Sequence, residues 1–179
     1  DYIAFKMSDT VTSTRNGLSE GILWDYKENK VAKWLLNYYQ IDTSLIPDIV
    51  ENFTNQGEIT SKAAKETGLL VGTPITYRAG DQPNNALSLN VLKNGEVAAT
   101  GGTSGVVYAV TNKLNSKEST RINHFAHVNY SNKNQLIGKL LCINGAGIMY
   151  KWLKINTSAT SYQQMNNLAE KIPIGSNGL

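Results

Sequence analysis

Two features between residues 74 and 111 constrain this chain more than anything else in it: an acidic residue where a β-prone run breaks, and then a glycine-rich turn. Thr76 and Tyr77 favour a strand over 74–78, and Gly80 interrupts it just before Asp81. Pro83 suits the first turn of a helix over roughly 84–92, where its missing N–H would have had no partner. The pattern predicts Asp81 at the carboxyl end of a strand and the start of a helix, where α/β folds gather ligands. Further on, 96–100 and 105–111 read as strands joined through Gly101, Gly102, Thr103, Ser104 and Gly105. A hairpin of that composition can turn backbone N–H groups towards an oxyanion.

The rest of the chain alternates helical and β-prone segments. Val31, Trp34, Leu35, Tyr38 and Tyr39 fall on one face of a helix over 30–39. Residues 60–67 predict a short helix with Thr60 at its start and Gly68 as a left-handed C-terminal cap. After a turn at Lys93–Glu96, strands are predicted over 96–100, 105–111, 123–130 and 135–141. Asn144 is positioned to cap a helix over 145–154 whose Ile148, Met149, Trp152 and Leu153 form an apolar stripe. Ser161 begins another, with Met165, Leu168 and Ala169 expected inside. This mixture indicates an α/β architecture.

Charge excludes some function classes. The net charge is +3, from 17 basic and 14 acidic residues, and the basic residues are scattered. Without a basic run, neither a nucleic-acid partner nor a membrane surface is indicated. Cys142 is the single cysteine, so neither an intrachain disulfide nor a cysteine-rich zinc site can form; its apolar neighbours predict a buried thiol. His124 and His127, three apart in a predicted strand, point to opposite faces and do not make a two-histidine metal site. Glu20 and Asp25 flank an apolar stretch and read as turn or surface groups. With no signal peptide and no membrane-spanning apolar stretch, a cytoplasmic protein is the expectation.

In this order, the Gly-Asp-Gln segment and the Gly-Thr-Ser-Gly hairpin resemble the FGGY carbohydrate kinases, and within them the xylulokinases. Ser19, Leu23, Trp24 and Asp25 match a Ser-x-x-x-Leu-Phe-Asp stretch of that family. Gly68 to Pro74 matches its Gly-Leu-x-x-Gly-Thr-Pro run, and Asn123 to His127 its His-x-Phe-x-His run. Gly145-Ala146-Gly147 resembles its glycine-led helix, and Ile174 to Leu179 the lead into a later Leu-Phe-Leu-Pro segment. The resemblance implies an actin-like, ribonuclease-H-like ATPase fold, with parts of two domains present. Residues 1–93 would be the end of the sugar-binding domain and 94–179 the start of the nucleotide-binding domain. The family's opening Asp-x-Gly-Thr phosphate loop and late adenosine segment have no counterpart here, which implies an internal piece of a larger kinase.

The chemistry follows from the same resemblance. ATP and Mg2+ would be the cofactors, and a sugar hydroxyl, most closely that of D-xylulose, the acceptor. Asp81 would be the catalytic base and contact the substrate. Gln82 would either bond sugar hydroxyls or cap the following helix. Gly102, Thr103, Ser104 and Gly105 would hold nucleotide phosphates. Gly147 would admit the nucleotide or serve close packing, and Lys151 stands where related kinases have a polar residue, although a surface lysine is the plainer reading. A homodimer is compatible with the family. Arg78-Ala79-Gly80 departs from the glycine-richer motif, as Asn84-Asn85 departs from the usual small residues. Another ketose, a polyol or a sugar acid therefore stays open as substrate, as does a non-catalytic sugar- or nucleotide-binding role.

Overall fold

The computed structural model describes residues 1–115, 117–118 and 120–178; the Leu179 end of the tail resemblance lies outside them. Its helices are α1 (Tyr2–Ser8), α2 (Arg15–Glu20), α3 (Lys33–Tyr38), α4 (Ser61–Thr67), α5 (Asp81–Ser88), α6 (Ala146–Asn156) and α7 (Tyr162–Ala169). Its strands are β1 (Thr12–Thr14), β2 (Trp24–Asp25), β3 (Lys30–Val31), β4 (Asp48–Val50), β5 (Val97–Gly101), β6 (Gly105–Thr111), β7 (Asn123–Ala126) and β8 (Ile137–Ile143). The α/β expectation holds. β1 and β4 pair in parallel, β2 and β3 antiparallel, and the larger sheet runs in the order β5–β6–β8–β7.

The chain forms two compact units, one of Asp1–Ala98 with Val107–Leu141, the other of Ala99–Val106 with Cys142–Leu179. In the first, Leu18 of α2, Trp24, Ala126, Tyr130 and Ile137 make the core, with Leu23, Tyr26 and Ile49 packed around them. Trp24 and Tyr130 meet edge to face with ring centroids 6.4 Å apart, a favoured aromatic geometry. Buried polar groups lock α2 onto β7. The Asn16 amide donates to the carbonyls of Ala126 and His127, at 2.6 and 2.8 Å, and the Ser19 hydroxyl accepts the Ala126 N–H at 2.8 Å. With each of these groups satisfied, burial costs the unit little and fixes one orientation of α2.

Local signals decide several elements. Thr60 caps α4 by accepting the Ala63 N–H at 3.2 Å, and Gly68 closes the helix at φ 77°. The helix after β3 departs from the expected face. It begins at Lys33, because Lys30 and Val31 pair with Asp25 and Trp24. Leu36 is its buried residue, while Trp34, Tyr38 and Tyr39 are exposed.

In the second unit α6 is capped by Gly145 rather than Asn144, with no side-chain cap bond. The Asn144 side-chain Oδ1 instead accepts from the Cys142 thiol at 3.1 Å, and Cys142 is exposed, contrary to the buried thiol expected. The apolar stripe of α6 is exposed too, at Ile148, Met149, Trp152 and Leu153. In α7, Met165 is buried and Leu168 is not. The periodicity found these helices, yet periodicity alone does not say what covers an apolar face.

Candidate functional site

The expected strand over 74–78 is extended but irregular. Ile75 donates to the Gly57 carbonyl at 2.7 Å, while Gln56 and Phe53 donate to the carbonyls of Ile75 and Thr76, both at 2.8 Å. Phe53 at φ 63° and Gly57 at φ 141° break the partner segment out of strand geometry, leaving a braced pair of segments without a regular ladder. The Phe53 ring stacks on Tyr77 at 5.2 Å, and the Tyr77 hydroxyl donates to Asn84 Oδ1 at 3.0 Å. The path of the chain into α5 is thereby held from the side.

Helix α5 starts earlier than expected, at Asp81, and ends at Ser88. Pro83 is its third residue, still within the first turn where no intrahelical N–H bond is lost. Gly80 is the N-cap, so Gln82 does not cap; its amide donates to Asp81 Oδ2 at 3.3 Å. Asp81 itself is exposed. A carboxylate at that position is favoured by the aligned peptide dipoles of the helix. An accessible carboxylate there can accept a proton from a hydroxyl placed against it.

Arg78 does not project freely into the site. Its guanidinium donates to Gln56 Oε1 at 2.9 Å, the Thr12 carbonyl at 3.0 Å, Thr12 Oγ1 at 2.8 Å and Asp1 Oδ1 at 3.2 Å. Four of its five N–H donors are thus engaged by this chain. Burial holds its pKa below the usual arginine value.

Glu20 is not the surface group its sequence context suggests. It is half-buried, and its Oε1 accepts the Gly80 N–H at 3.0 Å, across 60 residues of chain. A Cβ at position 80 would meet the Glu20 carboxylate, the far end of a flexible side chain, which would have to move aside, so glycine here leaves room for this contact. Burial pushes the Glu20 carboxyl above its ordinary pKa and the Asp81 charge adds to the rise, against the pull of the Gly80 N–H. Nothing in the spacing of the sequence links residues 20 and 80, and only the tertiary fold brings them together. Thr14, Gly17, Glu20, Arg78 and Gly80 line a polar cavity of about 240 Å³ beside the start of α5. A mainly apolar cavity of about 680 Å³ over Trp24, Trp34 and Phe125 contains none of the candidate site residues.

In the second unit the hairpin turn and the start of α6 are joined. Gly147 donates to the Gly102 carbonyl at 3.0 Å and Ile148 to the Thr103 carbonyl at 3.1 Å. The Gly102 N–H is itself bonded to the Ser104 carbonyl at 2.9 Å. A Cβ on Gly147 would overlap the Gly102 carbonyl oxygen, whereas one on Gly102 would have open space apart from the Ser104 carbonyl at 3.8 Å. Close packing therefore accounts for glycine at 147, and the hairpin itself leaves room at Gly102. Gly105 packs against the Ala146 side chain, and Lys151 lies exposed one turn beyond Gly147 on the same face of α6.

His127 is fully buried, with Nδ1 3.1 Å from the Tyr108 hydroxyl. Desolvation pushes its pKa down to about 4, against the opposing pull of the Val91 backbone and the Glu96 charge, so the ring is neutral at physiological pH. Among the described residues no three His, Cys, Asp or Glu side chains gather to hold an ion. No helix of the described residues is long and apolar enough to cross a membrane.

No family model matches the chain. It is 24% identical to a xylulose kinase of Bacillus subtilis over 100% of its own length and 35% of that protein's. It is 25% identical to a gluconokinase of the same organism, over 89% of this chain and 31% of the relative. The crystal structure of a xylulose kinase from Rhodospirillum rubrum superposes with a TM-score of 0.85 at 25% identity, covering 100% of this chain and 36% of that one. The chain thus spans about a third of the length of the curated relatives it matches. In sequence and in fold it is similar, from end to end, to sugar kinases with xylulose kinases among them, and its elements are those of the actin-like ATPase fold.

Proposed function

We propose that this chain serves in an ATP-dependent sugar kinase, with D-xylulose as the first substrate to test and D-xylulose 5-phosphate as the product. The observation that carries the reading is Asp81: an exposed carboxylate at the first position of α5, on a segment braced by Arg78 on one side and the Gly80 amide bond on the other. Residues 1–93 would contribute to the sugar-binding domain and 94–179 to the nucleotide-binding domain. The whole-length likeness to xylulose kinases supports the substrate class.

In the reaction, Asp81 accepts the proton of the attacking sugar hydroxyl as its oxygen bonds to the γ-phosphorus. The bond between that phosphorus and the ADP oxygen breaks, and the proton passes from Asp81 to solvent. Because the transition state is loose, orientation by Asp81 contributes more than its basicity. Gln82 orients the Asp81 carboxylate through its amide and would bond a neighbouring sugar hydroxyl. The hydroxyls of Thr103 and Ser104 and the open face at Gly102 would receive the nucleotide phosphates, with Lys151 one turn past Gly147 as a nearby cation. Magnesium, when bound, neutralises phosphate charge and is brought largely by the nucleotide itself.

The 25% identity to a gluconokinase favours a second reading, a sugar acid as acceptor. One assay separates the two. ADP release by the whole protein is measured with ATP, magnesium and a panel of D-xylulose, L-xylulose, glycerol and gluconate. Turnover led by D-xylulose is expected. A lead by gluconate establishes the second reading, and no turnover with any acceptor overturns both.

A further inference from the structure

We infer that Glu20 is a positioning residue for Asp81, its carboxylate reaching from α2 to pin the Gly80 amide and so set the orientation in which the base is presented. The inference rests on the reading of Asp81 as the base and adds to it a residue in a different part of the chain. An ordinary helix start is fixed by a Ser, Thr, Asp or Asn side chain at the N-cap. Here the N-cap is Gly80, which has no side chain to offer. Its N–H is taken by Glu20 instead, much as the third residue of a capping box takes it in other helices.

The support for Glu20 is itself fixed. Asn16 and Ser19, in the same short helix, are buried and bonded to the backbone of residues 126 and 127. Two residues before Gly80, Arg78 is held by Thr12 and Gln56. The backbone leading into Asp81 is therefore held from two directions, and Glu20 provides the hold adjacent to the base. Its chemistry is costly for stability alone. A half-buried carboxylate beside a second carboxylate is disfavoured by desolvation and by like charge. A charge-assisted bond to the amide offsets part of that cost and is shorter and stiffer than a neutral one. Small displacements of a reacting group cost catalysis heavily, about 10²-fold for an ångström.

The test compares Glu20→Leu and Glu20→Gln in the whole protein. Leu removes the acceptor, while Gln keeps an oxygen able to accept the Gly80 N–H. We expect Glu20→Leu to lower kcat by about 10–100-fold, with KM for sugar and ATP within about threefold and with little change in melting temperature. Glu20→Gln should restore kcat to within about threefold of the parent. Hydrogen exchange gives a readout independent of turnover: the amides of Gly80 and Asp81 should exchange at least about tenfold faster in Glu20→Leu and at the parent rate in Glu20→Gln. Unchanged kcat in Glu20→Leu overturns the inference, as does a loss that Gln fails to restore. If the parent turns over no sugar, the kinase reading falls and the exchange measurement decides the positioning claim alone, with unchanged exchange at Gly80 and Asp81 overturning it.

Discussion

Asp81 stands exposed at the first position of α5, directly after Gly80, whose N–H is held by the Glu20 carboxylate from 60 residues away. Replacing it by Asn keeps the shape and the Gln82 contact but removes the proton acceptor. Turnover in the whole protein should fall by about 10²–10⁴-fold, with KM for the sugar little changed. Steady-state kinetics on a purified Asp81→Asn variant checks this, and near-normal turnover would take Asp81 out of the mechanism. A second residue-scale expectation concerns His127. Its pKa is about 4 in the fold, against the ordinary value of 6.5, so the unfolded chain binds the proton first as pH falls. Stability contributed by the neutral ring is complete above about pH 6.5 and is lost as pH falls towards about 4. Urea denaturation at pH 7 and pH 5 should show the chain weaker at pH 5, with a smaller difference in His127→Gln. An equal difference in the variant assigns the effect elsewhere, His124 being shifted in the same direction. Asp81 could be read from its neighbours in sequence, since glycine before an acid after a β-prone run is a local pattern. Glu20 could not, because its role arises from a contact between α2 and a loop that no local pattern encodes.

At the scale of elements, the two glycines of the second unit give opposite expectations. Gly147→Ala places a methyl group against the Gly102 carbonyl and should cost about 1–3 kcal/mol of stability. Gly102→Val meets open space, so the fold should tolerate it while the added side chain obstructs an approaching phosphate. Thermal melts should therefore fall for Gly147→Ala and hold for Gly102→Val, with KM for ATP rising selectively in the latter. Equal losses of sugar and ATP binding in Gly102→Val, together with a lower melting temperature, favour a plain turn. Element by element, legibility follows the range of the cause. The cap and stop of α4 are local chemistry, and Thr60 and Gly68 play the parts their types predict. Among the strands of the larger sheet, β6 lies where its run of Val106, Val107, Tyr108 and Val110 between turn residues places it. The face of α3 and the surroundings of α6 were not legible. Which side of a helix is covered depends on what packs there, and Leu36 rather than Trp34 won that competition. The 74–78 segment escaped as well, since its bonding partner is bent by two left-handed or unusual residues, Phe53 and Gly57.

For the whole molecule, exposed apolar side chains are the main physical fact. Helix α6 has no buried residue, although Ile148, Met149, Trp152 and Ile155 lie along it, and Trp34 and Tyr38 are similarly open in the first unit. Surfaces of this kind seek a cover. The 179 residues on their own should self-associate at micromolar concentration, and Ile148→Lys with Trp152→Lys should shift sedimentation towards the monomer. Monomeric behaviour of the unaltered chain would show that these side chains find their cover internally. Sugar-stimulated ADP release from the chain alone should be undetectable, since it corresponds to only 35% of a related xylulose kinase. The second unit is also discontinuous, its hairpin segment separated from α6 by Val107–Leu141 of the first. During synthesis the Gly102 carbonyl must therefore wait for Gly147, its eventual donor, until an intervening stretch of the other unit has left the ribosome. The turn at Gly102 gains these bonds only once α6 has emerged, and a ribosome stalled before α6 would display a hairpin without its anchor.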